Sequence, residues 1–251
     1  MLVMGILNVT PDSFADGGKH NDFESAVARG LQMIAEGVDI IDIGGESTRP
    51  GADRVSEEEE IARTIPVITE LAKHAVKISI DTMRASTATA AINAGASIIN
   101  DVSGGLADPS MLQTAAELKV PYIAMHWRGQ SKDMNSKAIY GDVVKDVISE
   151  LQERITASLD AGISKNNLII DPGLGFAKDA DHNWAIIDAI DQFVAMGYPV
   201  LVGGSRKRFL GGDSPDQREQ ATIELTKRLS KTGVWAVRVH SVKPHKEVLS
   251  A

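Results

Sequence analysis

The chain has 251 residues, enough for one large domain or two small ones, and its 43% hydrophobic and 24% charged content excludes collagenous, low-complexity and largely disordered classes. The absence of cysteine removes disulfides, iron–sulfur clusters, thiolate zinc sites and a cysteine nucleophile together, and it fits a reducing cytoplasm. A net charge of -8 opposes general binding to nucleic acid or anionic membranes, and no apolar stretch reads as a membrane span or secretory signal.

In chain order, short β-branched or apolar runs alternate with longer stretches of helical periodicity. The predicted strands cover residues 3–9, 39–44, 76–81, 97–101, 121–126, 167–171, 199–203 and 234–240. The predicted helices cover 23–36, 57–74, 85–93, 109–118, 143–161, 182–196 and 218–231, with a last short helix over 243–250. Continuous apolar runs such as Ile40-Ile41 and Leu168-Ile169-Ile170 imply strands buried on both faces, the condition of a parallel sheet. Eight such units without a linker predict a single (β/α)8 TIM barrel spanning residues 1–251; an open Rossmann-like sheet is the alternative, but no G-x-G-x-x-G follows any strand.

Polar residues gather where the strands end: Asn8, Asp42, Asp81, Asn100-Asp101, His126, Asp171, the Ser205-Arg206-Lys207 segment, and Arg238 with His240. Each alone is as consistent with a helix cap as with a ligand contact. Together, on the C-terminal rim of a barrel, they predict a site with hydrogen-bonding and anion-binding parts. Arg49, Lys207, Arg238 and His240 suit a multiply charged phosphate, and the P-loop spacing is absent. Asp81, Asn100 and Asp171 supply acceptors for the N–H and NH2 groups of a planar ring, so a flat heterocycle bearing phosphate fits better than a sugar phosphate. The six histidines show no zinc-binding spacing. A Mg2+ held by diphosphate, water and one protein oxygen such as Asn8 is the expected metal. Two loops over 10–18 and 44–51 complete the rim, the first carrying Phe14.

At these residues the sequence resembles the dihydropteroate synthase family. The motifs that carry the resemblance are Met4-Gly5-Ile6-Leu7-Asn8-Val9-Thr10-Pro11-Asp12-Ser13-Phe14, Gly44-Gly45-Glu46-Ser47-Thr48-Arg49-Pro50-Gly51, Ile80-Asp81-Thr82, Ile99-Asn100-Asp101-Val102-Ser103-Gly104-Gly105, Asp171-Pro172-Gly173-Leu174-Gly175-Phe176, Ser205-Arg206-Lys207 and Arg238-Val239-His240. Seven in order, along nearly the whole chain, are far more specific than any one. The resemblance implies a barrel enzyme of folate biosynthesis that joins 6-hydroxymethyl-7,8-dihydropterin diphosphate to p-aminobenzoate and that is a target of sulfonamides; the expected route loses diphosphate first and needs no covalent enzyme intermediate, and the composition and lack of a signal or span point to the cytoplasm. It implies a pterin pocket of Asp81, Asn100, Met125, Asp171 and Lys207. The diphosphate site then falls on Asn8 with Mg2+, Arg49, Arg238 and His240, and the p-aminobenzoate pocket on Thr48, Pro50, Phe176, Lys207 and Arg208. Phe14 belongs to a mobile first loop, Asp81, Lys207 and Arg49 are the implied catalytic residues, and the family relationship implies a homodimer. The chain departs from the family pattern in a short 211–216 stretch, in Ser241 where an acidic residue is usual, and in Arg208 where serine is common. A pterin-binding methyltransferase domain would lack the Ser-Arg-Lys and Arg-Val-His sets, and a pterin-binding paralogue without turnover is the non-enzymatic alternative.

Overall fold

The computed structural model describes residues 1–10, 18–46, 55–130 and 134–250. Among them are eight strands: β1 (Leu2–Asn8), β2 (Ile40–Gly44), β3 (Lys77–Asp81), β4 (Ile98–Asp101), β5 (Tyr122–Met125), β6 (Leu168–Asp171), β7 (Leu201–Val202) and β8 (Ala236–Val239). They pair in parallel in the order β6-β5-β4-β3-β2-β1-β8-β7. The two ends of that order meet at an isolated parallel bridge, Ile170 to Val200, beside which Ile170 N–H donates to Pro199 O at 3.0 Å. The eight-unit (β/α)8 barrel expected from the sequence is therefore the architecture found.

Helices α1 (Gly18–Ala35), α2 (Glu57–Leu71), α3 (Ala85–Asn93), α4 (Met111–Leu118), α5 (Val143–Asp160), α6 (Ala180–Asp188), α7 (Ile190–Val194), α8 (Glu219–Leu229) and α9 (Lys243–Ser250) lie between and after the strands. Side-chain oxygens set several of their starts: Ser56 accepts from Glu59 N–H at 3.2 Å, Asp142 from Lys145 N–H at 3.2 Å, and Asp179 forms a reciprocal capping box with His182. The last strand is shorter than expected and the first helix starts earlier, and two further expectations change in kind. The helix expected over 182–196 is broken at Ala189, whose φ of -104° and ψ of 21° leave the helical region, so that α6 and α7 are separate pieces burying Ile186, Ile187, Ile190 and Phe193. β7 has only two residues where five were expected, because Pro199 has no N–H for a ladder and two glycines follow Val202.

Strand residues alternate between two cores. Val3, Leu7, Ile41, Ile43, Ile78, Ile80, Ile99, Ala124, Ile170 and Val237 belong to the layer between strands and helices. Met4, Ile40, Ile98, Ile123, Ile169, Leu201 and Ala236 form a separate cluster inside the barrel. The interior is thus filled by side chains rather than left as a pore, and the cluster plugs its N-terminal half. No helix among the described residues is long and apolar enough to cross a membrane.

Candidate active site

Stepping two residues along each strand from the interior plug keeps the side chain inward and reaches the open end. From Ile40 the step leads to Asp42, from Ile98 to Asn100, from Ile123 to Met125, from Ile169 to Asp171, and from Ala236 to Arg238. On β3 the register places Asp81 between Gly44 and Asn100. One geometric rule therefore brings Asp81, Asn100, Met125, Asp171 and Arg238 to the same mouth.

These groups are joined by hydrogen bonds. Arg238 donates from Nε to Asp42 Oδ2 at 2.5 Å and from Nη2 to Asp81 Oδ2 at 2.6 Å, and Asn100 Nδ2 donates to that same Asp42 oxygen at 3.0 Å. Asp42 is fully buried, and Asp81 and Asn100 nearly so. Burial raises the Asp81 carboxyl to about 7 against the pull of Arg238, with Asp42 adding to the rise. Arg238 stays cationic: burial would lower it, but Asp42 and Asp81 hold it above its ordinary value. Asp171 accepts Gly173 N–H at Oδ1, 2.7 Å, and burial raises it, opposed by that bond and by Lys207 and Arg238.

Asp42 Oδ1 and Ser79 Oγ, at paired register positions, are buried without a hydrogen-bond partner among the described residues. Buried polar atoms ordinarily find partners, so these two mark where a donor-bearing ligand or water belongs. Beside them an apolar wall of Met83, Val102 and Met125, with Trp127 and Phe176 packed on it, offers a face for a flat ring. A small pocket lined by Glu46, Glu60, Asp81, Thr82, Met83 and Val102 opens next to that wall.

The basic side is built by the segments after β7 and β8. Lys207 Nζ donates to Leu174 O and sits 4.5 Å from the centre of the Phe176 ring. Burial lowers Lys207 to about 8, with Asp171 opposing and Arg238 reinforcing the fall. A side chain at Gly175, whose φ is +74°, would come within 2.7 Å of Lys207 Cδ, so the close approach of this backbone to the lysine requires glycine there. Arg206, just before Lys207, adopts a left-handed φ of +57° and is tied by Nε to Glu219 at 2.6 Å and by Nη2 to Ser241 Oγ at 2.9 Å. The hydroxyl at position 241 thus keeps a hydrogen bond where an acidic residue was the family expectation. Ser205 Oγ accepts His240 N–H at 3.2 Å and lies 2.9 Å from His240 Nδ1, which fixes the imidazole on the rim. Arg208 is exposed at the start of a short 3-10 turn.

Asn8 is half-buried at the open end of β1 and presents a neutral amide. Among the described residues no three His, Asp or Glu side chains are grouped to hold a metal ion. A single amide oxygen of this kind fits a cation bound mostly by phosphate oxygens and water. Phe14, Thr48, Arg49 and Pro50 lie outside the described residues.

Two strand-end residues point away from the mouth. Asp101 accepts from Ser103, Gly105 and Tyr122 OH and so braces the loop after β4, and His126 turns outward to Glu150 and Lys178. Conversely, Asp42 lies at the centre of the ion-pair network, although its sequence position alone gave it no ligand role. Its signal was the spacing Ile40, Asp42, Gly44, a charged residue on the inward face of an otherwise apolar strand.

The geometry describes an acceptor-lined pocket beside cations. Residues 4–240 match the model of the pterin binding enzyme family. The chain belongs to that family, among its dihydropteroate synthases. The dihydropteroate synthase of Mycobacterium leprae is 47% identical over 98% of this chain and 90% of its own. The solved dihydropteroate synthase of Xanthomonas albilineans, in a structure with 4-aminobenzoic acid, superposes with a TM-score of 0.93 at 44% identity, covering 99% of this chain and 90% of that one. That of Yersinia pestis, in a sulfonamide drug complex, gives a TM-score of 0.93 at 40% identity over 99% and 92% of the two chains.

Proposed function

We propose that this mouth performs the dihydropteroate synthase reaction as follows. The pterin ring lies against Met125 and the Met83–Val102 wall, its N–H and NH2 groups given to Asp171, Asn100 and Asp81. The observation that carries this reading is the convergence of three buried acceptors and an unpartnered Asp42 oxygen next to Lys207 and Arg238. The C–O bond between the pterin methylene and diphosphate breaks with its electron pair leaving on diphosphate. Asp81, as carboxylate, stabilises the resulting ring-delocalised methylene cation. The neutral arylamine, against Phe176, Lys207 and Arg208, forms the C–N bond and releases its proton to solvent, so no enzyme nucleophile is required.

Arg238, His240 and Arg49 receive the departing diphosphate, and Asn8 would be the protein ligand of a bound cation. The chemistry a Mg2+ supplies at Asn8 is neutralisation of diphosphate charge. The reading extends to inhibition by sulfonamides, as arylamine mimics at the Phe176–Lys207 side, to the cytoplasm as the place of action, and to a homodimer as the working form. The 251 residues act as one domain.

The test is to combine the protein with 6-hydroxymethyl-7,8-dihydropterin diphosphate, Mg2+ and labelled p-aminobenzoate and to follow label into dihydropteroate alongside diphosphate release. Lys207→Ala is expected to lower kcat/KM by about 100-fold or more, the loss typical of one preorganised electrostatic group. Tight pterin binding with no turnover in the unaltered protein would instead favour a pterin-binding paralogue, and a covalent pterin–enzyme adduct would overturn the dissociative route.

A further inference from the structure

The loop after β6 carries Asp171 at its start and Phe176 near its end, and its backbone is unusual. Gly173, Gly175 and Ala177 all have positive φ, at +69°, +74° and +48°. A Cβ at Gly173 would meet His126 O at 2.5 Å, so the loop is pressed against the end of β5. One buried side chain from outside the mouth holds it there. Lys178 Nζ lies 3.0 Å from Gly173 O, 3.0 Å from Phe176 O and 2.9 Å from His126 Nδ1. On the far side of that ring, His126 Nε2 lies 2.8 Å from Glu150 Oε2, and Arg128 Nε donates to the same carboxylate oxygen at 3.0 Å.

The proton count of this chain is closed. Burial, then the neighbouring Lys178, lowers His126 to about 4, so its ring is neutral. Placing the ring proton on Nε2 satisfies Glu150 and leaves Nδ1 as an acceptor. An ammonium has three N–H donors, and Lys178 faces three acceptors. The charged groups around it are Asp171, Lys207, Arg128 and Glu150; burial lowers it to about 7, Asp171 and Glu150 opposing, Lys207 and Arg128 adding to the fall. Below that pH all three bonds are made. A second tie, Tyr140 OH donating to Ala177 O at 3.0 Å, secures the strained residue beside it.

We propose that Lys178, oriented by the His126–Glu150 pair, is a positioning residue for the arylamine side of the site: by clamping the carbonyls of Gly173 and Phe176 it sets where the Phe176 ring stands relative to Lys207. It touches no reacting atom. The Asp171 end of the loop is anchored in β6 and has the Gly173 N–H bond besides the Lys178 clamp, so the pterin side depends on Lys178 less than the arylamine side does. This inference rests on the assignment of Phe176 and Lys207 to the arylamine; turnover by the unaltered protein tests that assignment, and the variants below test Lys178.

Steady-state kinetics of Lys178→Met, at a pH below 7, with each substrate varied in turn, separates the two sides. The expected result is a folded protein whose KM for p-aminobenzoate rises about tenfold or more while the KM for the pterin diphosphate moves less than about threefold, the pattern of lost substrate placement on one side. Because the sequence contains no cysteine, Lys178→Cys introduces a single thiol that can be aminoethylated while the chain is unfolded, restoring after refolding an ammonium at nearly the lysine length. Aminoethylation is expected to recover the arylamine KM that this second variant lacks before modification. Equal rises in both KM values, no change in either, no recovery after aminoethylation, or a Lys178→Met chain that does not fold would each overturn the proposal, the last by making Lys178 a structural residue.

Discussion

The two halves of the barrel interior are made from the same strands, two residues apart, and differ in almost everything else. The N-terminal half is an apolar plug of Met4, Ile40, Ile98, Ile123, Ile169, Leu201 and Ala236. The C-terminal half holds Asp42, Asp81, Asn100, Asp171 and Arg238, most of them as deeply buried as the plug, with Arg238 bonded to both the Asp42 and Asp81 carboxylates and Asn100 to that of Asp42. A parallel barrel allows this because every strand crosses the interior in the same direction, so equivalent positions form layers. One layer can then be given to stability and the next to chemistry. The lesson is that burial alone does not assign a role here; height along the strand does.

The largest effect is expected from Arg238→Met. It leaves the Asp42 and Asp81 carboxylates facing each other without their shared cation, and removing one member of such a buried set typically costs about 3–5 kcal/mol. Denaturant unfolding should show that loss, and turnover should fall with it; a variant of unchanged stability would mean that the upper layer is not held by its ion pairs. Ile169→Ala, one layer below, should cost about 2–4 kcal/mol by leaving a cavity, yet keep kcat/KM within a few-fold wherever the protein is still folded. A large loss of turnover at retained fold would mean that the plug and the site are not separable.

The smallest effect is on pH. In the proposed route Asp81 acts as a carboxylate, and its pKa is raised to about 7; Lys207 acts as an ammonium, and its pKa is lowered to about 8. kcat/KM should therefore climb as pH rises through about 7 and decline beyond about 8, and Lys207→Met should remove the alkaline limb only. Stability moves the opposite way over the acid limb: a carboxyl raised by burial weakens the fold as pH rises from the ordinary carboxylate range to about 7, which thermal melts across that window would register.

Much of this was legible in the sequence because the fold is repetitive. Continuous apolar strands bounded by polar residues identify the barrel, and the residue at each strand's end identifies the rim. Which way each polar residue faces was not legible. Asp101 and His126 look like Asp81 and Asn100 in the sequence, but each stands three residues past an inward side chain, Ile98 or Ile123, and an odd step sends it outward to brace a loop. In strands apolar on both faces, hydrophobic alternation is silent, and only the register resolves inside from outside. The break at Ala189 was equally hidden, since the apolar spacing of Ile186, Ile190 and Phe193 runs through it as if the helix were continuous. Lys178, His126 and Glu150 come from three separate segments, and nothing local to any of them announces the others.

Closure between β6 and β7 rests on one bridge, Ile170 to Val200, where the other seams are ladders. Amide hydrogens at that seam should be the first in the barrel to exchange with deuterated solvent, because opening there breaks the fewest pairs. The seam also separates the strand that ends in Asp171 from the strand that leads to Lys207. Opening at that seam would change the distance between the Asp171 carboxyl and the Lys207 ammonium before it disturbed any other pair of the mouth.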